Sequence, residues 1–165
     1  MHAILRACRC LRESSPKLLR ESLIAVLERY QKYEKYLQYP GEWGERAFRG
    51  WLVYEVFHIQ LRWPISNIVF GEQFDVLLVD EAVKPVIYVE TKKPERGLAD
   101  LEAFKQRSDK YGTLLWVVLT DGYKWLRISR VNNKEKTFSL PEPNLSSWQN
   151  FFRVLKASDY IYEGD

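Results

Sequence analysis

The segment Phe74-Asp75-Val76-Leu77-Leu78-Val79-Asp80, followed after a short link by Pro85-Val86-Ile87-Tyr88-Val89-Glu90-Thr91-Lys92, constrains the fold more than any other stretch of the chain. Both runs are rich in Val, Ile, Leu and Tyr, the composition of strands. The connection Glu81-Ala82-Val83-Lys84 is short enough for an antiparallel hairpin. Alternation along the second strand places Tyr88, Glu90 and Lys92 on one face, with Val89 and Thr91 on the other. If the hairpin closes near Val83, Asp75 comes opposite the end that carries Glu90 and Lys92.

Helical patterns precede this hairpin. Ser15-Pro16 reads as an N-cap followed by a first helical position, and Leu19, Leu23, Leu27, Tyr30 and Leu37 recur at helical spacing until Pro40-Gly41. A second helix is expected from Glu42 to His58, carrying Ala47, Phe48, Trp51, Leu52 and Glu55. Strands are expected at Ile68–Phe70, Phe74–Asp80, Pro85–Thr91, Thr113–Thr120 and Lys124–Val131, with a helix over Leu98–Tyr111 and another over Leu145–Ala157. The crossover from the third of these strands through Leu98–Tyr111 to the fourth is long enough for a parallel βαβ unit. The expected class is α/β: a mixed central sheet flanked by helices, with residues 1–40 as an added N-terminal helical extension and residues 41–165 as the main domain.

Composition narrows the function classes. With 25 Lys+Arg against 22 Asp+Glu, the formal net charge is +3, too small to announce a nucleic-acid binder by itself. The longest apolar run, Leu114–Leu119, falls far short of the about 20 residues a membrane-spanning helix needs, so no membrane partner is expected. Cys8 and Cys10 cannot build a disulfide framework or a four-ligand zinc site, which points to a reducing, cytoplasmic setting. The basic start with Arg6, Arg9 and Arg12 reads as mature protein rather than a transit segment.

Chemistry is carried by the hairpin. Two carboxylates close together in apolar strands repel unless a cation lies between them, and hard oxygen donors suit Mg²⁺, with Mn²⁺ as a substitute. Lys92 beside them can orient or deprotonate a water and offset charge developing on a phosphate. Lys93, Arg96, Lys105, Arg107 and Lys110 cluster after the motif and, as a set, suit DNA phosphates, although each alone is also an ordinary solvated cation.

Asp75 followed by Glu90-Thr91-Lys92 on the next strand resembles the D…ExK signature of the PD-(D/E)XK nuclease superfamily, the restriction endonuclease-like fold. The closest likeness is to the N-terminal nuclease domain of the motor subunit of type I restriction enzymes, through Phe74–Leu78, Val89–Pro94, Gln106 and Leu119-Thr120-Asp121-Gly122 with Trp125. Gln106 is followed by Tyr111 at five residues where that family has four. Archaeal Holliday-junction resolvases share the same core. The resemblance implies a Mg²⁺-dependent deoxyribonuclease, an endonuclease leaving 5′-phosphate ends. Asp75, Glu90 and the Thr91 carbonyl would hold the metal, Lys92 would activate water, and Glu45 and Gln106 would support the site.

Plainer readings stay open. Glu45 also suits the positive end of its own helix, and Glu90 with Lys92 could be a same-face ion pair. A non-cleaving nucleic-acid-binding or protein-interaction module derived from the nuclease fold would keep the same residues. Tyr30, Tyr33 and Tyr36 on the first helix suit either a homodimer interface or core packing, and His58 reads as a packed or surface histidine.

Overall fold

The structure is a computed structural model that describes residues 15–37, 43–98 and 100–162. The expected helix stop at Pro40-Gly41, the start at Glu42, the two cysteines and the basic Arg6, Arg9 and Arg12 lie outside the described residues.

Six strands form one sheet in the order β1 (Ile68–Phe70), β2 (Val76–Val79), β3 (Pro85–Thr91), β4 (Trp116–Thr120), β5 (Lys124–Ser129) and β6 (Glu135–Ser139). All neighbours are antiparallel except β3 and β4, which run parallel across a crossover that contains the helix Leu101–Ser108. The sheet is therefore mixed, and the βαβ unit read from the sequence is present. β6 was not expected. Its only buried side chain is Phe138, and Glu135 and Lys136 mark it as a charged edge strand, so its apolar signal is nearly silent.

Strand alternation sorts two cores. Val76, Leu78, Val89, Val118 and Trp125 face a layer made by α1 (Pro16–Leu37), α2 (Trp43–Leu52) and α4 (Leu145–Phe152). Leu77, Tyr88, Val117, Leu119, Leu126 and Ile128 face α3 (Leu101–Ser108), whose Phe104 stacks on Tyr88 with ring centroids 5.4 Å apart. The helix expected as an extension shares the first core: Leu19, Leu23, Val26, Leu27 and Tyr30 pack in one cluster with Phe48 and Leu52. Tyr30 meets Phe48 edge-on and is buried, whereas Tyr33 and Tyr36 are exposed.

The second helix does not stay α-helical to His58. Beyond Leu52 it widens into a π-helical segment, Val53–Gln60, closed by a bond from the Leu61 amide to the Val56 carbonyl. The buried residues Leu52, Val53, Val56, Phe57 and Leu61 recur at steps of four and five, and a five-residue hydrogen-bond step holds them on one face. His58 is half-buried, with its Nδ1 2.7 Å from the Trp63 carbonyl and its ring packed on Tyr54.

The Asp121-Gly122 turn between β4 and β5 pins the sheet to α1 and α2. Gly122 has φ +86°, and a Cβ there would stand 2.7 Å from both Leu27 Cδ2 and Phe48 Cζ. Gly122→Ala is expected to lower stability by more than about 1 kcal/mol, because it adds left-handed strain to a steric clash. Urea unfolding checks this: the midpoint should fall while the slope holds.

Candidate active site

Asp75 immediately precedes β2, and the Val76↔Val89 register sets it opposite Glu90, at the same end of the sheet. Its carboxylate is the joint of this corner. Oδ2 accepts from the Thr91 amide at 2.7 Å and from the Thr91 hydroxyl at 3.0 Å. Oδ1 lies 2.5 Å from the Arg49 guanidinium. Arg49 also donates to Thr91 Oγ1 at 3.1 Å and sits 3.4 Å from Glu45, one helical turn earlier on α2. Glu45, Arg49, Asp75 and Thr91 therefore form one connected group on the α2 side.

The other face carries the second group. Glu90 and Lys92 share a face as alternation requires, with Lys92 Nζ 3.0 Å from Glu90 Oε1. The Tyr88 hydroxyl donates to Glu90 Oε2 at 2.7 Å. From α3, Arg107 reaches across with Nη2 at 2.5 Å from Oε1 and Nε at 3.3 Å from Oε2.

Burial alone would raise the Glu90 pKa, but hydrogen bonds from Tyr88 and Lys92 and the charges of Lys92 and Arg107 outweigh it and hold the carboxyl below its ordinary value. Burial likewise opposes charge on Lys92. The hydrogen bond and charge of Glu90 overcome it, with Glu45 and Asp75 adding, so the ammonium stays protonated above its ordinary range. The Tyr88 phenol is pushed up by burial and by its bond to Glu90. Lys92 is thus a fixed cation in this arrangement rather than a ready base.

The remaining residues singled out in the sequence disperse. Gln106 is exposed on α3 and the next residue, Arg107, is the one that enters the site. Lys105 pairs with Glu135 of β6 at 3.1 Å and with Glu102 at 3.9 Å. Lys93 approaches the start of α2, its Cε within 3.5 Å of where a Cβ on Gly44 would be. Arg96 lies exposed in the turn after β3, and Lys110 is exposed just past α3. Asp121 is a buried anchor: Oδ2 accepts from Gly97 and Oδ1 from Tyr123 and Lys124, tying the segment after β3 to the β4–β5 turn.

Sequence reasoning missed Arg49 altogether and, in expecting Arg107 to contact phosphate, did not foresee its bond to Glu90. Their signals were available in part, since Arg49 stands four residues after Glu45 and Arg107 three after Phe104, each on a shared helix face.

No family model, curated protein or solved structure matches this chain.

Among the described residues, no group of three or more His, Cys, Asp or Glu side chains converges as a metal cage. The oxygen donors at the corner are the Asp75 and Glu90 carboxylates and a backbone carbonyl. The Lys92 amide bonds to Thr120 on the β4 side while the Thr91 amide points to Asp75, so the Thr91 carbonyl faces the space beyond the start of β2. By donor type the Asp75 and Glu90 carboxylates suit Mg²⁺, which takes one or two carboxylates with water in its remaining positions; in this structure their oxygens are turned to Arg49 and Thr91 on one side and to Tyr88, Lys92 and Arg107 on the other.

Thr91→Val removes a buried hydroxyl that donates to Asp75 and accepts from Arg49. It is expected to cost about 1–3 kcal/mol by leaving both groups short of a partner. Thr91→Ser should recover most of this in the same urea titration.

Proposed function

We propose that the chain is a metal-dependent nuclease of the PD-(D/E)XK kind that hydrolyses DNA phosphodiester bonds, related to the nuclease domain of type I restriction motor subunits and working in the cytoplasm. One observation carries this reading. Asp75 just before β2, Glu90 near the end of β3 and Lys92 just after it come to one end of the sheet, with the lysine ammonium held against the glutamate.

Asp75, Glu90 and the Thr91 carbonyl would hold Mg²⁺ or Mn²⁺. Such a cation polarises a phosphoryl oxygen and lowers the pKa of a bound water. Lys92, kept cationic by its neighbours, orients the water and offsets charge gathering on the phosphate, which suits electrostatic stabilisation better than proton abstraction. Glu45 keeps Arg49 aligned with Asp75 and so fixes the carboxylate's direction. Lys93 and Arg96, in the segment that follows β3, would contact neighbouring phosphates. No helix among the described residues is long and apolar enough to cross a membrane.

A second reading, a nuclease-derived module that binds nucleic acid without cutting it, draws support from the same corner, because each acid already has a guanidinium partner. The two readings part in one experiment. Supercoiled plasmid, linear duplex and a four-way junction are incubated with protein and Mg²⁺, Mn²⁺ or chelator. Metal-dependent cleavage is expected, falling about 10²–10³-fold in Asp75→Asn and in Lys92→Ala. Cleavage unchanged in both variants would refute the assignment, and metal-independent binding without cleavage would establish the second reading.

A further inference from the structure

The donors around Glu90 leave no place for another partner. Its two carboxylate oxygens offer about four lone-pair sites between them. Tyr88 and Arg107 Nε occupy Oε2, and Arg107 Nη2 and Lys92 occupy Oε1. Asp75 differs: both donors from Thr91 fall on Oδ2, and among the described residues Arg49 alone approaches Oδ1. A cation can therefore approach Asp75 directly, but it reaches Glu90 only if one of that residue's donors leaves.

The structure distinguishes which donor is free to go. The Tyr88 ring is fully buried and stacked on Phe104. Lys92 is the residue immediately after β3, so its backbone is fixed by the sheet, through the bond from its amide to Thr120. Arg107 comes from α3, which packs over this face of the sheet, and its side chain is 37% exposed, the largest fraction in the cluster. Its planar fork matches a phosphate as well as it matches a carboxylate.

We propose that Arg107 is an exchangeable partner of Glu90, which moves from the carboxylate to a phosphodiester oxygen of the substrate and so makes cation binding and DNA binding cooperative. The proposal rests on the nuclease reading above. In the free protein Arg107 balances the charge of Glu90 and competes with a cation for Oε1. When DNA supplies a second anion, Arg107 has somewhere to go, and Glu90 becomes available. Linkage makes the effect reciprocal: whatever factor DNA adds to cation affinity, the cation adds to DNA affinity.

The test reads metal affinity rather than turnover. Free Mn²⁺ is counted by electron paramagnetic resonance during titration of the protein, alone and with a cleavage-resistant phosphorothioate duplex, with Asp75→Asn plus duplex as the background. Wild type should bind Mn²⁺ weakly alone and about tenfold more tightly with duplex, within the usual range of coupling between sites. Arg107→Ala should bind Mn²⁺ more tightly than wild type without DNA and lose the gain that duplex confers. Arg107→Gln, which keeps the side chain as far as Cδ but removes the charge and the guanidinium fork, is read in the same way if the alanine variant fails to fold. If both variants bind Mn²⁺ no better than wild type without DNA while the duplex gain persists, Arg107 is not the exchanging group and the coupling proposal fails, with the metal site intact. Absence of Mn²⁺ binding above background in every protein, with and without duplex, overturns the nuclease reading as well.

Discussion

The carboxylate of Asp75 holds together a corner that the sheet alone could not. β2 begins only at Val76, so at the level of Thr91 the ladder has no strand to offer on that side. Asp75 fills the vacancy by accepting the Thr91 amide and hydroxyl with one oxygen and turning the other to Arg49 of α2. A buried amide without a partner would cost roughly 1–3 kcal/mol, and a short acidic side chain at the strand entrance removes that cost. The same contact fixes α2 against the end of the sheet, because Arg49 is bound at once to Asp75, Glu45 and Thr91. Sheet, helix and candidate chemistry thus depend on one residue.

Charge balance then governs what the corner can do. Three acids, Glu45, Asp75 and Glu90, meet three bases, Arg49, Lys92 and Arg107, across the two sides of the sheet end. Taking so many charges out of water is tolerated only where each is paired and hydrogen-bonded. The pairing explains why Glu90 remains a carboxylate in spite of burial and why Lys92 remains an ammonium. A neutral, satisfied cluster has little excess attraction for a divalent ion, so any metal chemistry here must reorganise the pairs before it begins.

What the sequence disclosed and what it hid follow from the range of the forces involved. The hairpin, the shared face of Glu90 and Lys92 and the parallel crossover were legible because they depend on strand alternation and connection length, both local properties. β6 was hidden because an edge strand with one buried phenylalanine has almost no apolar pattern. The widening of α2 beyond Leu52 was hidden because a π-helical step is chosen by which residues must reach the core, and the core is not local. The Asp121-Gly122 turn was visible, yet its purpose, a carboxylate satisfying three backbone amides under the candidate site, required the folded chain.

The exchange of Gln106 for Arg107 shows how tertiary packing sets the phase of a helix. α3 is anchored by Phe104, which is buried against the Tyr88 ring. With 3.6 residues per turn, Arg107 returns to within about 60° of that anchor, whereas Gln106 is carried about 200° around, towards solvent. Once the aromatic stack is fixed, the third residue after Phe104 stays on the side of the helix that meets Glu90 and the second is carried away from it. A sequence reading that starts from the glutamine assigns the helix its function before its orientation is known; starting from the buried aromatic reverses the order, and places at the carboxylate a side chain whose charge the chemistry must then take into account.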